Sequence, residues 1–339
     1  MNIGIVTTYD EINFGAFLQA YSLQKYLENI GHTASLINYK GFRYRLRELK
    51  STYVKKDPIF FFKTLLKGYK FHISLKEMNI TKRFKSLRAI NNANFDLIIF
   101  GSDEIWNVNN CLGISDDYYF GKDIRTRKIA YAPSFGSTNK LDNNKSYLIN
   151  MIRDFESISM RDENSIKILK ANNFKNLVLT LDPTFLIKQK YKKPVIKEKY
   201  LFYYCIGASK ELDYEVSNFA KLNGLEVISF GYKNKRFRNI VGIDPFEWLG
   251  YLKEADYVVT NMYHGTIFSL KFNKKFVLEL SEYRMNKLST LVKLFDIHER
   301  IYKTQFFQKN MLNEIDYSFI NQKISSLTQE SKEFLYYSI

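Results

Sequence analysis

The sequence predicts an α/β protein built as two Rossmann-like domains, and three observations carry that prediction. Short β-branched runs alternate with helix-period segments along most of the chain. A small or polar cluster follows nearly every run, where open α/β sheets bind ligands. One Lys-rich stretch near the middle, KQKYKKPVIKEK after Ile187, has no apolar period and reads as a linker. The 339 residues suit two domains at roughly 150 residues each. The expected division is 1–187 and 188–339.

The first element is Asn2 to Tyr9 (NIGIVTTY), a buried parallel strand. Ala16, Ala20, Leu23, Leu27 and Ile30 then recur on one helix face, Gly31 stops that helix, and Ala34 to Tyr39 resumes strand character. Such a βαβ unit implies a parallel sheet with a right-handed crossover. Asp96 to Phe100 is a strand ending in Gly101-Ser102-Asp103, and Lys128 to Ala132 ends in Pro133-Ser134-Phe135-Gly136. Ser157 to Met160 leads into Arg161-Asp162-Glu163 and a helix, and Leu177 to Leu181 ends in Asp182-Pro183-Thr184.

After the linker the alternation restarts. Strands are expected at Tyr200 to Ile206, Leu225 to Phe230, Tyr257 to Thr260 and Lys275 to Leu280, with helices at Glu211 to Leu222 and Phe246 to Ala255. Two such halves on one linker are the organisation of GT-B-type transferases, whose active site lies in the inter-domain cleft. The last forty residues read as helical and are expected to pack back on the N-terminal half. Residues 41–90 break the rhythm as a basic, aromatic insertion in the first domain. Within it Pro58 to Phe71 (PIFFFKTLLKGYKF) has two readings: a surface helix packing its Phe residues on the core, or a basic helix lying in a membrane interface.

Composition bounds the function. Apolar residues at 45% and charged residues at 25% exclude a mainly disordered chain, and 15 Gly with 5 Pro exclude a collagen-like one. The 51 Lys+Arg against 35 Asp+Glu leave +16, which implies an anionic partner. Cys111 and Cys205 stand isolated, as in a reducing compartment, and form no thiol-based zinc site. The start MNIGIVTTYDE carries no signal-peptide pattern and no run of 18 apolar residues occurs, so a cytoplasmic location is expected. No apolar-flanked DxD and no GxxxxGK[ST] are present; Asp116-Asp117 reads as a turn, and no metal or other cofactor is expected.

Of four histidines, His264 stands out: Tyr263-His264-Gly265-Thr266 lies between a strand and a helix-like run. The helix N-terminus offers N–H groups to an anion, and the glycine permits close approach. A loop histidine is equally a structural residue. Asp103 reads as a helix N-cap or a site carboxylate, Asp182 as an Asp-Pro turn or a site carboxylate. Arg161 reads as an anion-binding guanidinium or as the surface partner of Glu156 or Asp162.

Six short motifs occur in order: Asn13-Phe14-Gly15-Ala16 with Leu18-Gln19-Ala20-Tyr21; Gly101-Ser102-Asp103-Glu104-Ile105-Trp106-Asn107; Tyr131-Ala132-Pro133-Ser134-Phe135-Gly136; Ile158-Ser159-Met160-Arg161-Asp162; Leu181-Asp182-Pro183-Thr184; and Tyr263-His264-Gly265-Thr266. With them the chain resembles the polysaccharide pyruvyl transferase family over roughly residues 3–300. The resemblance implies a GT-B-like fold and transfer of pyruvate from phosphoenolpyruvate to a sugar, closing a cyclic ketal across two hydroxyls in surface polysaccharide assembly. It implies that His264 contacts the donor and that Arg161 holds its phosphate or carboxylate. Many members carry Arg two residues before that histidine, where this chain has Met262. Arg284 and Lys287 are the nearest replacements in sequence, and with Gly265 they complete the expected donor side. Asn13, Gly15, Ser102, Asp103, Ser134 and Asp182 form the expected acceptor side, and Asp103 is also expected to serve with His264 in catalysis.

Such a donor is compact and highly anionic, and asks for a guanidinium fork and backbone N–H groups. Its methylene carbon must gain a proton and the attacking hydroxyl must lose one, tasks that suit imidazole. The expected acceptor is a glycan precursor on undecaprenyl pyrophosphate, which would place the enzyme on the anionic inner leaflet and use the diffuse positive charge. The alternative is a GT-B glycosyltransferase with a nucleotide-sugar donor. A nucleic-acid partner is not expected, because no recognition motif concentrates the basic residues.

Overall fold

Two parallel sheets realise the alternation in the sequence. The computed structural model describes residues 1–39, 58–109, 117–141, 145–196 and 198–339. Cys111, Asp116 and residues 41–57 of the expected insertion lie outside the described residues. The first half runs β1 (Asn2–Val6), α1 (Phe14–Asn29), β2 (Thr33–Leu36), α2 (Pro58–Ser74), α3 (Leu87–Asn91), β3 (Leu97–Phe100) and β4 (Lys128–Ala130). It continues as α4 (Tyr147–Ile152), β5 (Ser159–Met160), α5 (Glu163–Ala171) and β6 (Val178–Leu179). The second half runs β7 (Tyr200–Tyr204), α6 (Lys210–Asn223), β8 (Glu226–Phe230), β9 (Arg238–Ile240), α7 (Pro245–Glu254) and β10 (Tyr257–Thr260). Then follow α8 (Tyr263–Lys271), β11 (Lys275–Leu278), α9 (Met285–Leu294), α10 (Phe307–Leu312) and α11 (Tyr317–Ser338).

The chain forms two compact units. One takes the described residues of 1–54, 75–189 and 324–339; the other takes those of 55–74 and 190–323. Residues 58–74, expected in the first domain, therefore belong to the second unit, and 324–339 belong to the first. Packing explains both. Lys70 of α2 pairs with Glu247 of α7 at 2.9 Å, while Leu66 lies where a side chain on Gly242 would go. At the other end, Arg127 donates to the carbonyls of Ser338 and Ile339, and Ser331 Oγ accepts from Leu181 N at 2.9 Å.

In the first unit the sheet order is β2-β1-β3-β4, all parallel, with Ile3 of β1 opposite Leu97 of β3. A bridge from Ala130 to Ile158 leads on to the β5-β6 pair. The Asn13 side chain caps α1, accepting from Gly15 N at 3.0 Å. This helix is buried on nearly all sides, beyond the single face its spacing predicts. Its polar residues are matched internally; Gln24, for example, donates to the carbonyls of Ala34 and Asn79. The core around Trp106 packs Phe120, Phe135 and Phe155 at centroid distances of 5.6–6.0 Å.

In the second unit the order is β11-β10-β7-β8-β9, again all parallel. Phe202, Phe230 and Trp248 fill one side of it, and Leu201, Tyr203, Phe219 and Val259 belong to a further core cluster. The linker lies on α7: Lys192 N donates to Phe246 O, and Lys192 O occupies the space beside Gly250. Helix α2 meets the plainer reading of its sequence at Phe71 and departs from it at Phe62. Thr64, Lys67, Phe71 and Ser74 are buried, while Phe62 is 68% and Tyr69 63% exposed.

Candidate active site

Each sheet has one point where the strand order reverses, between β1 and β3 in the first unit and between β7 and β10 in the second. The residues just past the carboxyl ends of those strands are where this architecture presents a ligand site.

In the first unit Gly101 begins that region. Its φ is +118°, and a Cβ there would stand 2.1 Å from Tyr131 O, so only glycine fits. Asp103 follows with φ +69° and begins no helix, which removes the N-cap reading. Its carboxylate is held from two sides: Thr8 Oγ1 donates to Oδ2 at 2.9 Å, and Arg161 Nη2 to Oδ1 at 3.2 Å. Arg161 Nη1 also pairs with Asp182 Oδ2 at 3.0 Å. Arg161 thus pairs with neither Glu156, which Arg127 holds, nor Asp162, whose carboxylate caps α5 by accepting from Ser165 N. Asp182 does both things its sequence allows, accepting from Thr184 N at 3.0 Å while it faces the guanidinium.

Arg161 and Asp182 are buried and Asp103 is the member of the trio that reaches solvent. A buried guanidinium between two carboxylates is a positioning device: it fixes Asp103 and keeps both charges compensated. The hydroxyls of the other candidates are used inside the turns. Ser102 Oγ donates to Ala132 O at 2.6 Å and Ser134 Oγ accepts from Gly136 N at 2.9 Å, and both residues are fully buried. Asn13 is a cap and Gly15 lies in the first turn of α1.

Sequence reasoning passes over Gln19 as a role. Its Nε2 donates to Thr7 Oγ1 and Thr8 O at 2.9 Å, and its Oε1 accepts from Ser102 N at 3.2 Å. It ties the β1 turn to the β3 turn. The signal was a glutamine among apolar residues of a helix that proves buried all round.

In the second unit α8 begins at Tyr263, so His264 is the second helical residue and not a loop residue. It is 9% exposed, with Tyr263 edge-on at 5.3 Å. No side chain caps this helix; Met262 N donates back to Thr260 Oγ1 at 3.0 Å. Gly265 serves packing: a Cβ there would meet Thr260 Oγ1 at 2.3 Å and Tyr204 Cδ1 at 3.0 Å. The absent side chain therefore lets the helix close on the strand. Asn261 joins the two strand ends, accepting from Ile206 N at 3.0 Å and donating to Ile206 O and to Glu279.

Cations gather at the same end. Arg284 Nη1 lies 3.5 Å from Ile206 O and 3.3 Å from Ser281 Oγ, and Lys287 Nζ stands 5.9 Å from the Tyr263 ring centre. Burial raises the Tyr204 phenol well above its ordinary pKa, while the Arg284 charge pulls it the other way. A further cation comes from α2. Lys67, 3% exposed, points Nζ at Gly231 O at 3.4 Å and stands 5.0 Å from the Tyr232 ring centre. Tyr232 stacks on Tyr204, the ring beside Gly265. The spacing of Thr64, Lys67, Phe71 and Ser74 gave no sign of this, because a polar row on an aromatic helix ordinarily faces water. Burial pushes the Cys205 thiol up and leaves it a packing residue. Among the described residues, no three His, Cys, Asp or Glu side chains come together as a metal-ion site would require.

A family model described as polysaccharide pyruvyl transferase matches residues 13–278. No curated protein matches the sequence significantly. Among solved structures, a UDP-GlcNAc 2-epimerase from Methanocaldococcus jannaschii aligns with a TM-score of 0.54 and 11% identity, covering 99% of this chain and 100% of that one. AviGT4, a glycosyltransferase involved in avilamycin A biosynthesis, aligns with a TM-score of 0.51 and 8% identity, covering 100% and 97%. These likenesses show the fold, which is α/β with two Rossmann-like halves of the GT-B class, as expected from the sequence.

Proposed function

The chain belongs to the polysaccharide pyruvyl transferase family, and from that premise we propose that it moves pyruvate from phosphoenolpyruvate to a sugar of a lipid-linked glycan precursor. The observation that carries the donor assignment is the gathering of His264, Arg284, Lys287 and Lys67 near the carboxyl ends of β7, β8 and β10. A phosphate and a carboxylate on three carbons call for several cations, and Arg284, Lys287 and Lys67 each touch a segment that follows one of these strands, which supports the reading. Lys67 and Arg284 answer the charge that Met262 does not bring.

The reaction then balances as follows. The donor's methylene carbon takes a proton, C2 becomes electrophilic, and a sugar hydroxyl adds to it and gives up its proton. The C2–O bond to phosphate breaks, inorganic phosphate leaves, and the neighbouring hydroxyl adds to C2 to close the ketal. His264 is the proton donor to the methylene carbon in this reading, and the N–H groups at the start of α8 face the departing phosphate. Asp103, held by Thr8 and Arg161, takes the proton of the sugar hydroxyl. Arg161 positions Asp103, and Asp182 holds Arg161. An acceptor carried on undecaprenyl pyrophosphate brings two further negative charges, consistent with the +16 of the chain.

A thermal-shift panel tests the donor. Phosphoenolpyruvate is expected to raise the melting temperature, and a His264→Asn variant is expected to keep its fold while losing at least about 100-fold in kcat. Stabilisation by a nucleotide-sugar and not by phosphoenolpyruvate would overturn the reading in favour of a glycosyltransferase.

A further inference from the structure

We infer that Asn261 is the positioning residue of the second unit's strand ends: its carboxamide fastens the Ile206 turn to the start of α8 and so fixes Arg284 relative to His264. Strands β7, β10 and β11 pair in register as far as Tyr204, Thr260 and Leu278. Past those residues the main chains part. β7 turns at Gly207, whose φ is +63°, towards α6, and β10 turns at Met262 into α8. Asn261 is fully buried at that parting. Its Oδ1 accepts from Ile206 N at 3.0 Å, and its Nδ2 donates to Ile206 O at 3.1 Å and to Glu279 Oε2 at 3.2 Å. One side-chain amide therefore gives Ile206 the acceptor and the donor that a further stretch of parallel strand would have given it.

The partners demand an amide. A Glu279 carboxylate accepts and Ile206 N donates, so one atom of the side chain between them must donate and the other accept. Glu279 is itself held: its Oε1 accepts from Ser209 N at 3.0 Å, and its own N donates to Thr260 O at 2.9 Å. Ser209 Oγ in turn caps α6 by accepting from Leu212 N at 3.2 Å. The network thus ties the ends of three strands to the start of a helix. Both groups assigned to the donor depend on it. Ile206 O, which Asn261 holds, also lies 3.5 Å from Arg284 Nη1. His264 follows Asn261 by three residues, and the intervening Met262 N is fixed on Thr260 Oγ1 at 3.0 Å. Both N–H bonds of the amide are used within the network, so Asn261 acts through its neighbours and not on the substrate. The proposal rests on the transferase reading only for what Arg284 and His264 contact, namely the donor.

Hydrogen exchange and direct binding on the full chain test it together. Asn261→Asp keeps an acceptor for Ile206 N, loses both donors and sets a second carboxylate against Glu279. It is expected to speed amide exchange at Ile206 and across the first turn of α8 by at least about tenfold, while the β1–β3 pair of the first unit exchanges as in the native chain. In calorimetric titration it is expected to raise the Kd for phosphoenolpyruvate at least about tenfold, and Glu279→Gln, which sets two donors face to face, is expected to do the same. The double variant Asn261→Asp, Glu279→Gln exchanges carboxylate and carboxamide, restores a donor and an acceptor across the contact, and is expected to bring both readouts back to within about threefold of native. A role confined to stability would lower the melting temperature of the single variants and leave the Kd of the folded protein unchanged. Native exchange rates in Asn261→Asp, an unchanged Kd in the single variants, or no recovery in the double variant would each overturn the proposal. If the native chain does not bind phosphoenolpyruvate, the donor reading falls, and the exchange rates alone decide whether Asn261 holds the Ile206 turn to α8.

Discussion

Arg161 is the residue whose meaning changed most. In sequence it is a guanidinium just past a strand end, open to an anionic ligand; in the structure Asp103 and Asp182 engage both of its terminal nitrogens. The prediction therefore moves to Asp103. Asp103→Asn is expected to lower kcat by about 100-fold with little change in donor KM, because in the proposed reaction the carboxylate takes the proton of the acceptor hydroxyl. A change confined to donor KM would place Asp103 on the donor side instead. The neighbouring Asp162 makes a separate point. It is fully buried, and burial outweighs its hydrogen bonds and the Arg161 charge to raise its pKa. A carboxyl with a raised folded pKa contributes most below its ordinary pKa, and that contribution is lost as pH rises through the folded value. Asp162→Asn keeps the oxygen that accepts from Ser165 N. Its melting temperature relative to the native chain is expected to rise as pH is taken from about 4 to 8. A pH-independent difference would mean the carboxyl titrates normally.

At the level of elements, the contact between α8 and β10 decides whether His264 is held in place. Thr260 Oγ1 donates to Tyr204 O at 2.7 Å and accepts from Met262 N at 3.0 Å, so it is not free to move aside for a Cβ at Gly265. Gly265→Ala is expected to cost about 2 kcal/mol in chemical denaturation and to lower kcat through displacement of His264. Unchanged stability would show that α8 shifts on its strand without penalty. The strands and most helices were legible from spacing because each parallel strand is a continuous apolar run closed by a polar turn. Strand ends were less so. β1 stops at Val6 and β4 at Ala130, short of the expected ends, because Thr7 joins the Gln19 network and Ala132 takes φ +52°. β9 had no periodic signal at all, since Arg238–Ile240 is a three-residue edge strand.

For the whole molecule, two cores in one chain invite a measurement on each. The chain has two tryptophans, both fully buried: Trp106 in the first unit and Trp248 in the second. Trp248 stands 5.0 Å from the Tyr204 ring centre and 5.8 Å from that of Phe268 in α8. In a Trp106→Phe variant, phosphoenolpyruvate is expected to change the emission of Trp248; in a Trp248→Phe variant, Trp106 is expected to stay silent. The opposite pattern would put the donor on the first unit. Calorimetry of the native chain is expected to depart from a single two-state transition, because each unit has its own sheet and core.

The sequence by itself determined the class of fold, the strand order of events along the chain and the turns at which chemistry gathers. These are local properties: runs of buried strand residues, glycines that only one backbone shape explains, and six short motifs in order. Tertiary structure alone decided the rest, because partners far apart in sequence set it. Asp103, Arg161 and Asp182 meet across 79 residues only because β3, β5 and β6 run parallel and each of the three residues follows the carboxyl end of its strand. The face that α2 buries was likewise not a property of its own sequence. Its apolar stripe would pack inward if the helix stood alone on a generic core, but Gly231 O and Glu247 fix Lys67 and Lys70 and turn that stripe to the outside.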